Sequence, residues 1–319
     1  MKKTIITIAA ALSLAGAAST AQSRYAVVDI SVNFLREAPD YTAELGTQAL
    51  MGTVVEITGE EGYWRQVVTP EPYTAWCTEL GLVEMGEKEI EAYMSAPKYI
   101  CTAWHSTIYS EPSAKSQKIT DIVAGDIMRV SGEKSGRCTG VRRPSGIRGY
   151  VLKQDVGEAD RWQASREPSA RNIIKEAMKF IGVPYLWGGA SVNGVDCSGF
   201  TRLVFQMNGI SLPRNASQQA RSGTDAGVQA DISFGPDSEG LSEEMHRRAG
   251  TLEPGDLIFF GTPSSDGSHR ITHVGIYIGD GKFIHSSHKV RLSSLFPEDD
   301  LYYENSYKLL SARRIIPEI

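Results

Sequence analysis

Three regimes of apolar and polar patterning divide the 319-residue chain. From Arg24 to about Val83, short alternating runs (Ala26-Val27-Val28, Gly52 to Ile57, Trp64 to Val68) are separated by turn residues, which predicts a small all-β unit. A second such unit runs from Tyr99 to about Val156 and repeats the landmarks of the first. Pro39 and Pro112, and Gly52 and Gly125, lie 73 residues apart, and Trp76 and Tyr150 lie 74 apart, so a duplicated module is expected. Glu87 to Met94 reads as a short linking helix and Gly157 to Pro168 as a polar linker. From Ser169 the pattern turns to α plus β. Ile173, Ile174, Ala177, Met178 and Ile181 form one stripe of a helix that Gly182 and Pro184 end. Phe200, Leu203, Val204 and Met207 mark a second helix, ending near Asn208-Gly209. Residues 221–250 are polar and Gly-rich, without a period until Leu241, as a lid, a binding loop or a disordered insertion would be. Leu257 to Phe260 reads as a buried strand, and Val274 to Ile278 with Lys282 to His285 as a hairpin.

Composition adds a compartment. Lys2 and Lys3, an apolar run from Ile5 to Ala18 and the small residues Ser19-Thr20-Ala21 predict a secretory signal over 1–21, hence an exported protein, periplasmic or extracellular. No cysteine follows closely, so no lipid anchor is expected, and no later apolar run is long enough to span a bilayer. A net charge of −5 without basic runs argues against nucleic acid as a partner. Of Cys77, Cys101, Cys138 and Cys197, a Cys101–Cys138 bridge and four buried free thiols are both open. A monomer is expected.

The chemistry converges on Cys197. It stands where a loop becomes a helix, so unsatisfied N–H groups and the helix dipole are expected to lower its pKa. A cysteine nucleophile needs a base, and the base a third group to orient its ring. His273 and His285 serve only if they share a sheet face. A two-residue turn at Asp280-Gly281 sets them on opposite faces; a three-residue loop, Gly279 to Gly281, pairs Ile276 with Ile284 and Tyr277 with Phe283 and makes them diagonal neighbours. The odd loop is the expectation. The other readings are two ordinary strand histidines, or zinc on His269 and His273; the latter is disfavoured because four-residue spacing aligns ligands on a helix and this segment reads as a strand.

Asp196-Cys197-Ser198-Gly199-Phe200, Leu252 to Leu257, His273 to Tyr277 and Phe283-Ile284-His285 together resemble the motifs of the NlpC family of papain-like cell-wall cysteine peptidases. Asn33-Phe34-Leu35-Arg36, Pro39, Gly52, Trp64 and Ala75-Trp76 resemble a bacterial SH3-like barrel. The implied architecture is α+β: barrels at 24–86 and 98–157 around a helical linker at 87–97, then a peptidase domain at 169–319. The resemblance implies Cys197 as nucleophile, His273 as base and acid, His285 as its orienting partner, and Tyr185 as an oxyanion donor with the Cys197 N–H. No cofactor or metal is implied. The tandem barrels resemble those of γ-D-glutamyl-L-diamino acid endopeptidases, which implies peptidoglycan stem peptides as substrate and a subsite for a free L-alanine amine built from Glu44, Tyr73, Asp196 and Ser198. Asn215 stands where that family often has an acid, which leaves the construction of the amine subsite open. Action on intact wall as an endopeptidase or amidase, and non-enzymatic wall binding, are the alternatives.

Overall fold

The computed structural model describes residues 24–263 and 269–316; the signal expected at 1–21 lies outside them. Among the described residues no helix is long and apolar enough to cross a membrane.

The first unit comprises β1 (Arg24–Val28), β2 (Val32–Arg36), β3 (Leu45–Leu50), β4 (Val54–Glu61), β5 (Trp64–Val68), β6 (Thr74–Thr78) and β7 (Leu82–Met85). Alternation does the local work: along β4, Val55 and Ile57 are buried while Glu56 and Thr58 are exposed. After α1 (Glu87–Ser95), the second unit repeats the first with β8 (Lys98–Cys101), β9 (His105–Tyr109), β10 (Lys118–Val123), β11 (Ile127–Ser135), β12 (Cys138–Arg142), β13 (Arg148–Leu152) and β14 (Val156–Glu158). The strand orders are β3-β2-β6-β5-β4-β1-β7 and β10-β9-β13-β12-β11-β8-β14, the same order displaced by seven strands. Gly52 and Gly125 both have positive φ and donate to equivalent carbonyls, those of Val28 and Cys101. The units are clasped by Arg143 on Asp29 (2.5 Å), by Ser31 on Asp121 (2.9 Å) and by the buried Asp126, which accepts the N–H groups of Met51 and Val123. The linker expected after Gly157 is not irregular: it forms α2 (Ala159–Ala164).

In the C-terminal domain, α3 (Ala170–Met178), a two-stranded ribbon of β15 (Ala190–Ser191) and β16 (Gly194–Val195), α4 (Cys197–Gln206) and α5 (Ala216–Gln219) come before most of the sheet. The antiparallel sheet has the order β17-β22-β18-β19-β20-β21, with β17 (Thr224–Asp225), β18 (Leu257–Pro263), β19 (His269–Gly279), β20 (Lys282–Ser287), β21 (Lys289–Ser294) and β22 (Leu309–Arg314). α3 and α4 bury Ile173, Ala177, Phe200 and Leu203 against Leu257, Phe259, Val274 and Ile276. On the other face, α6 (Leu241–Ala249) buries Met245 against Ile258, Phe260 and Phe283. Leu257 to Phe260 of β18 are all apolar because both faces of the strand are covered there.

Two expectations change, and one open alternative closes. The 221–250 stretch ends in α6, which is part of the second layer of the core rather than a lid or a disordered insertion. The helix starts at Leu241, where the polar stretch first shows a period, and carries a buried ion pair, Arg248 to Glu244 at 2.6 Å, with the guanidinium also donating to the carbonyls of Tyr307 and Leu309. Met178 and Ile181 are exposed and Phe180 takes their place in the core, because the helix ends at Met178 and the following turn swings Phe180 inward. All four cysteines are free and buried, so Cys101 and Cys138 form no bridge.

Candidate active site

Asp196 caps α4, its Oδ1 accepting the Gly199 N–H at 2.7 Å, and Cys197 follows as the first helical residue. The thiol is buried, with the backbone N–H groups of Val274 and Ser198 near enough to favour its ionised form, which sets it next to His273. Burial and the Asp196 carboxylate nevertheless push the Cys197 thiol up to about 12. The lowering expected from its helix position is outweighed, and the resting thiol is neutral.

The hairpin delivers both histidines to one place by an unforeseen route. Tyr277 pairs with Phe283 and Ile276 with Ile284, the register that the odd loop required, but Gly279 pairs with Lys282. The turn therefore has two residues, Asp280 and Gly281, both with positive φ (51° and 71°), and Ile278 is the extra residue of a β-bulge. The bulge supplies the one-residue shift assigned to the loop. His273 Nε2 lies 2.7 Å from His285 Nδ1. His285 is fully buried, and its Nε2 lies 3.0 Å from Ser293 Oγ on β21.

A base at His273 Nδ1 requires one direction along this hydrogen-bond chain. With Nε2 of His273 donating to His285 and Nε2 of His285 donating to Ser293, Nδ1 of His273 is the nitrogen left for the thiol. Burial lowers His273 to about 4, opposed by the Asp196 charge and aided by Arg291; burial, His273 and Arg291 also hold His285 well below its usual value. The base is thus neutral and able to accept a proton. Tyr185 is half-buried, its N–H bonded to the His288 carbonyl, and its phenol is pushed up to about 12 by burial first and by its closeness to Cys197 and the Asp196 carboxylate. Tyr303 walls the imidazoles, its ring centroid 4.9 Å from that of His285.

The first barrel completes the site. Arg214, 3% exposed, holds Asp196 with both terminal nitrogens (2.5 and 3.1 Å), reaches Ser198 Oγ, and donates to Thr47 Oγ1 and the Gly46 carbonyl on β3. Gln48 accepts the Ala190 N–H at 2.8 Å. Asp196 also accepts the Gly188 N–H and the Ser198 hydroxyl, so its lone pairs, like the Ser198 hydroxyl, are filled internally. Tyr73 lies where the Asp196 and Arg214 charges act on it, but its hydroxyl donates to Glu37 at 2.5 Å. Glu44 is exposed, its backbone carbonyl accepting the Glu37 N–H across the β2–β3 loop, and it is the Glu37 carboxylate that meets Tyr73.

Residues 182–308 match the NlpC/P60 family, and residues 31–81 the Bacterial SH3 domain. The gamma-D-glutamyl-L-lysine dipeptidyl-peptidase of Bacillus cereus is 30% identical over 282 residues, 86% of this chain and 76% of that protein. The chain belongs to the NlpC/P60 family. The Bacillus subtilis protein of the same name is 28% identical over 85% of this chain and 81% of its own length. A solved NlpC/P60 protein from Bacillus cereus superposes with a TM-score of 0.70 at 25% identity, covering 92% of this chain and all of that one. An NlpC/P60 endopeptidase from Photobacterium damselae shares the fold, with a TM-score of 0.62 at 15% identity over 90% of this chain and 72% of that one.

The protein is an NlpC/P60 cysteine peptidase with SH3-like barrels ahead of its catalytic domain. Cys197, His273, His285, Tyr185, Asp196, Ser198 and Tyr73 come together at one site. Glu44 stays outside it. Glu37, Arg214, Ser293 and Tyr303 were not anticipated. Arg214 adjoins the Asn215 position at which the sequence departs from the family, the one local signal pointing to it.

Proposed function

We propose that this NlpC/P60 peptidase acts outside the cytoplasm on peptidoglycan stem peptides, cutting the γ-D-glutamyl–diamino acid bond of fragments with a free N-terminal L-alanine. The reading rests on one observation above others: the first barrel carries Glu37 and Tyr73 up to Asp196, beside the nucleophile. Glu37 and Asp196 bring two negative charges and Arg214 one positive, so the wall is one charge short of neutral and suits an ammonium. Glu37 and Tyr73 supply the contacts, and Asp196, whose lone pairs are filled, supplies charge. The relatives' names, gamma-D-glutamyl-L-lysine dipeptidyl-peptidase, fit the same bond.

In this mechanism His273 Nδ1 takes the thiol proton as Cys197 Sγ attacks the γ-carbonyl carbon. The Tyr185 hydroxyl and the Cys197 N–H hold the developing oxyanion. Collapse breaks the C–N bond, His273 returns its proton to the leaving amine, and an acyl-enzyme thioester remains. Water then attacks the thioester, giving its proton to His273, and the thiol is restored.

The test compares L-Ala-γ-D-Glu-meso-diaminopimelate, its N-acetylated form and whole sacculi by mass spectrometry. Rapid cleavage of the free tripeptide alone is the expected outcome, with Glu37→Gln narrowing its advantage over the acetylated peptide about 10- to 100-fold, the worth of a charge-assisted hydrogen bond. Equal cleavage of the free and acetylated peptides would sink the amine subsite. Release of fragments from sacculi at a comparable rate would favour action on intact wall.

A further inference from the structure

Arg291 faces His285 directly across the β20–β21 ladder. Residues so paired share a sheet face, with Cβ atoms about 5 Å apart. The Arg291 side chain therefore emerges beside the catalytic imidazoles. Its charge reaches His273, His285 and Tyr303, groups on three separate segments, in keeping with that placement.

Its partners are missing. The Nε of Arg291 is buried without a hydrogen-bond acceptor, and no carboxylate among the described residues lies within ion-pair distance. Arg291 is half-buried, and other buried or half-buried arginines of the domain are paired: Arg214 with Asp196, Arg248 with Glu244, Arg202 with Glu71 and Arg314 with Asp256. A partly desolvated cation without a counter-charge is costly, and here it also opposes protonation of the base. A planar guanidinium in such a place suits a carboxylate, which it can grip with two parallel hydrogen bonds.

Position selects the carboxylate. The substrate amine sits at the barrel wall, by Asp196, whereas His273 must hand its proton to the leaving amine. The leaving residue thus lies over the histidine side of the groove, where Arg291 stands. We propose that Arg291 is a specificity residue that binds a carboxylate of the leaving diamino acid, an inference that rests on the function proposed above. That carboxylate is either the α-carboxylate or the side-chain carboxylate that diaminopimelate has and lysine lacks.

The test measures kcat/KM on three tripeptides, L-Ala-γ-D-Glu-meso-diaminopimelate, L-Ala-γ-D-Glu-L-Lys and L-Ala-γ-D-Glu-L-Lys-amide, for the native enzyme, Arg291→Met and Arg291→Lys. The native enzyme is expected to lose about 10- to 100-fold at one step of this series. Loss on going from diaminopimelate to lysine marks the side-chain carboxylate, and loss on amidation marks the α-carboxylate. Arg291→Met flattens that step and Arg291→Lys keeps part of it. A step that persists in Arg291→Met, a uniform loss on all three peptides, or no step in the native enzyme would overturn the proposal. Failure of the native enzyme to cleave any of the three peptides would instead overturn the function on which it rests. Should Arg291→Met not fold, Arg291→Lys decides alone: a point charge in place of the fork must shrink the step while the lysine-amide rate holds.

Discussion

Cys197 and His273 both rest neutral, the thiol pushed up to about 12 and the imidazole down to about 4. In the proposed mechanism proton transfer then accompanies attack rather than preceding it as a stored thiolate–imidazolium pair, and the pH behaviour follows. His273 is able to accept a proton until the pH nears 4, so the acid limb of kcat/KM is expected there and not near the 6.5 of an ordinary histidine. The alkaline limb is expected at about 8, where the substrate ammonium deprotonates. A profile on the free tripeptide from pH 3.5 to 10 checks both, and an acid limb at 6.5 would contradict a neutral buried base. The same burial has a stability consequence. Unfolded chains protonate this histidine near 6.5 and folded ones only near 4, so stability is full above 6.5 and declines as the pH falls through that window. Ser293→Ala isolates the end of the relay. The buried His285 Nε2–H loses its acceptor, which is expected to cost about 1–3 kcal/mol in urea unfolding and to lower kcat more than it raises KM.

At the scale of elements, the β19–β20 hairpin holds the lesson about legibility. The requirement that His273 and His285 share a face could be derived from period-two geometry alone, and so could the register pairing Ile276 with Ile284. The means could not, because a bulge at Ile278 and a longer loop produce the same downstream pairing, and local sequence does not separate them. The two-residue turn is testable through Gly281, whose φ of 71° is one that side chains other than Asn and Asp rarely adopt, and whose added Cβ would strike the Phe296 ring. Gly281→Ala is expected to lose about 1–3 kcal/mol of stability in urea unfolding. Asp280→Gly relaxes the neighbouring positive φ and is expected to be neutral or mildly stabilising in the same assay. Elsewhere, elements with a buried stripe, such as α4, were legible. Helix α6 shows its period from Leu241, but not that it buries Arg248 with Glu244 in the second layer, since charged residues in such a pattern read as a solvated face.

Across the whole molecule, the first barrel and the nucleophile helix are joined through one buried side chain. Arg214 ties the Asp196 cap to Thr47 and the Gly46 carbonyl, on the strand whose neighbouring segments carry Glu37 and Tyr73. Duplicated barrels and a catalytic domain could be separated by pattern, but the contacts between them could not, because a docking surface has no periodicity. Glu44 and Glu37 flank the same loop, and only the close approach of β3 to the Gly188–Ala190 segment decides between them. If the barrel is the amine-reading wall, loosening this joint must cost selectivity as well as stability. Arg214→Met leaves Asp196 as a buried carboxylate without its counter-charge, and a loss of about 3–5 kcal/mol is expected from breaking one side of such a pair. Thr47→Ala removes a single acceptor at the barrel end of the same network and is expected to cost about 1 kcal/mol. Its informative readout is the ratio of kcat/KM for free over N-acetylated tripeptide. That ratio falls if Arg214 transmits the barrel's position to the site, and the double variant then shows coupling between Arg214 and Thr47 in a thermodynamic cycle. An unchanged ratio with additive stability losses would make the joint purely structural, leaving Glu37 and Tyr73 to be held by the barrel's own core.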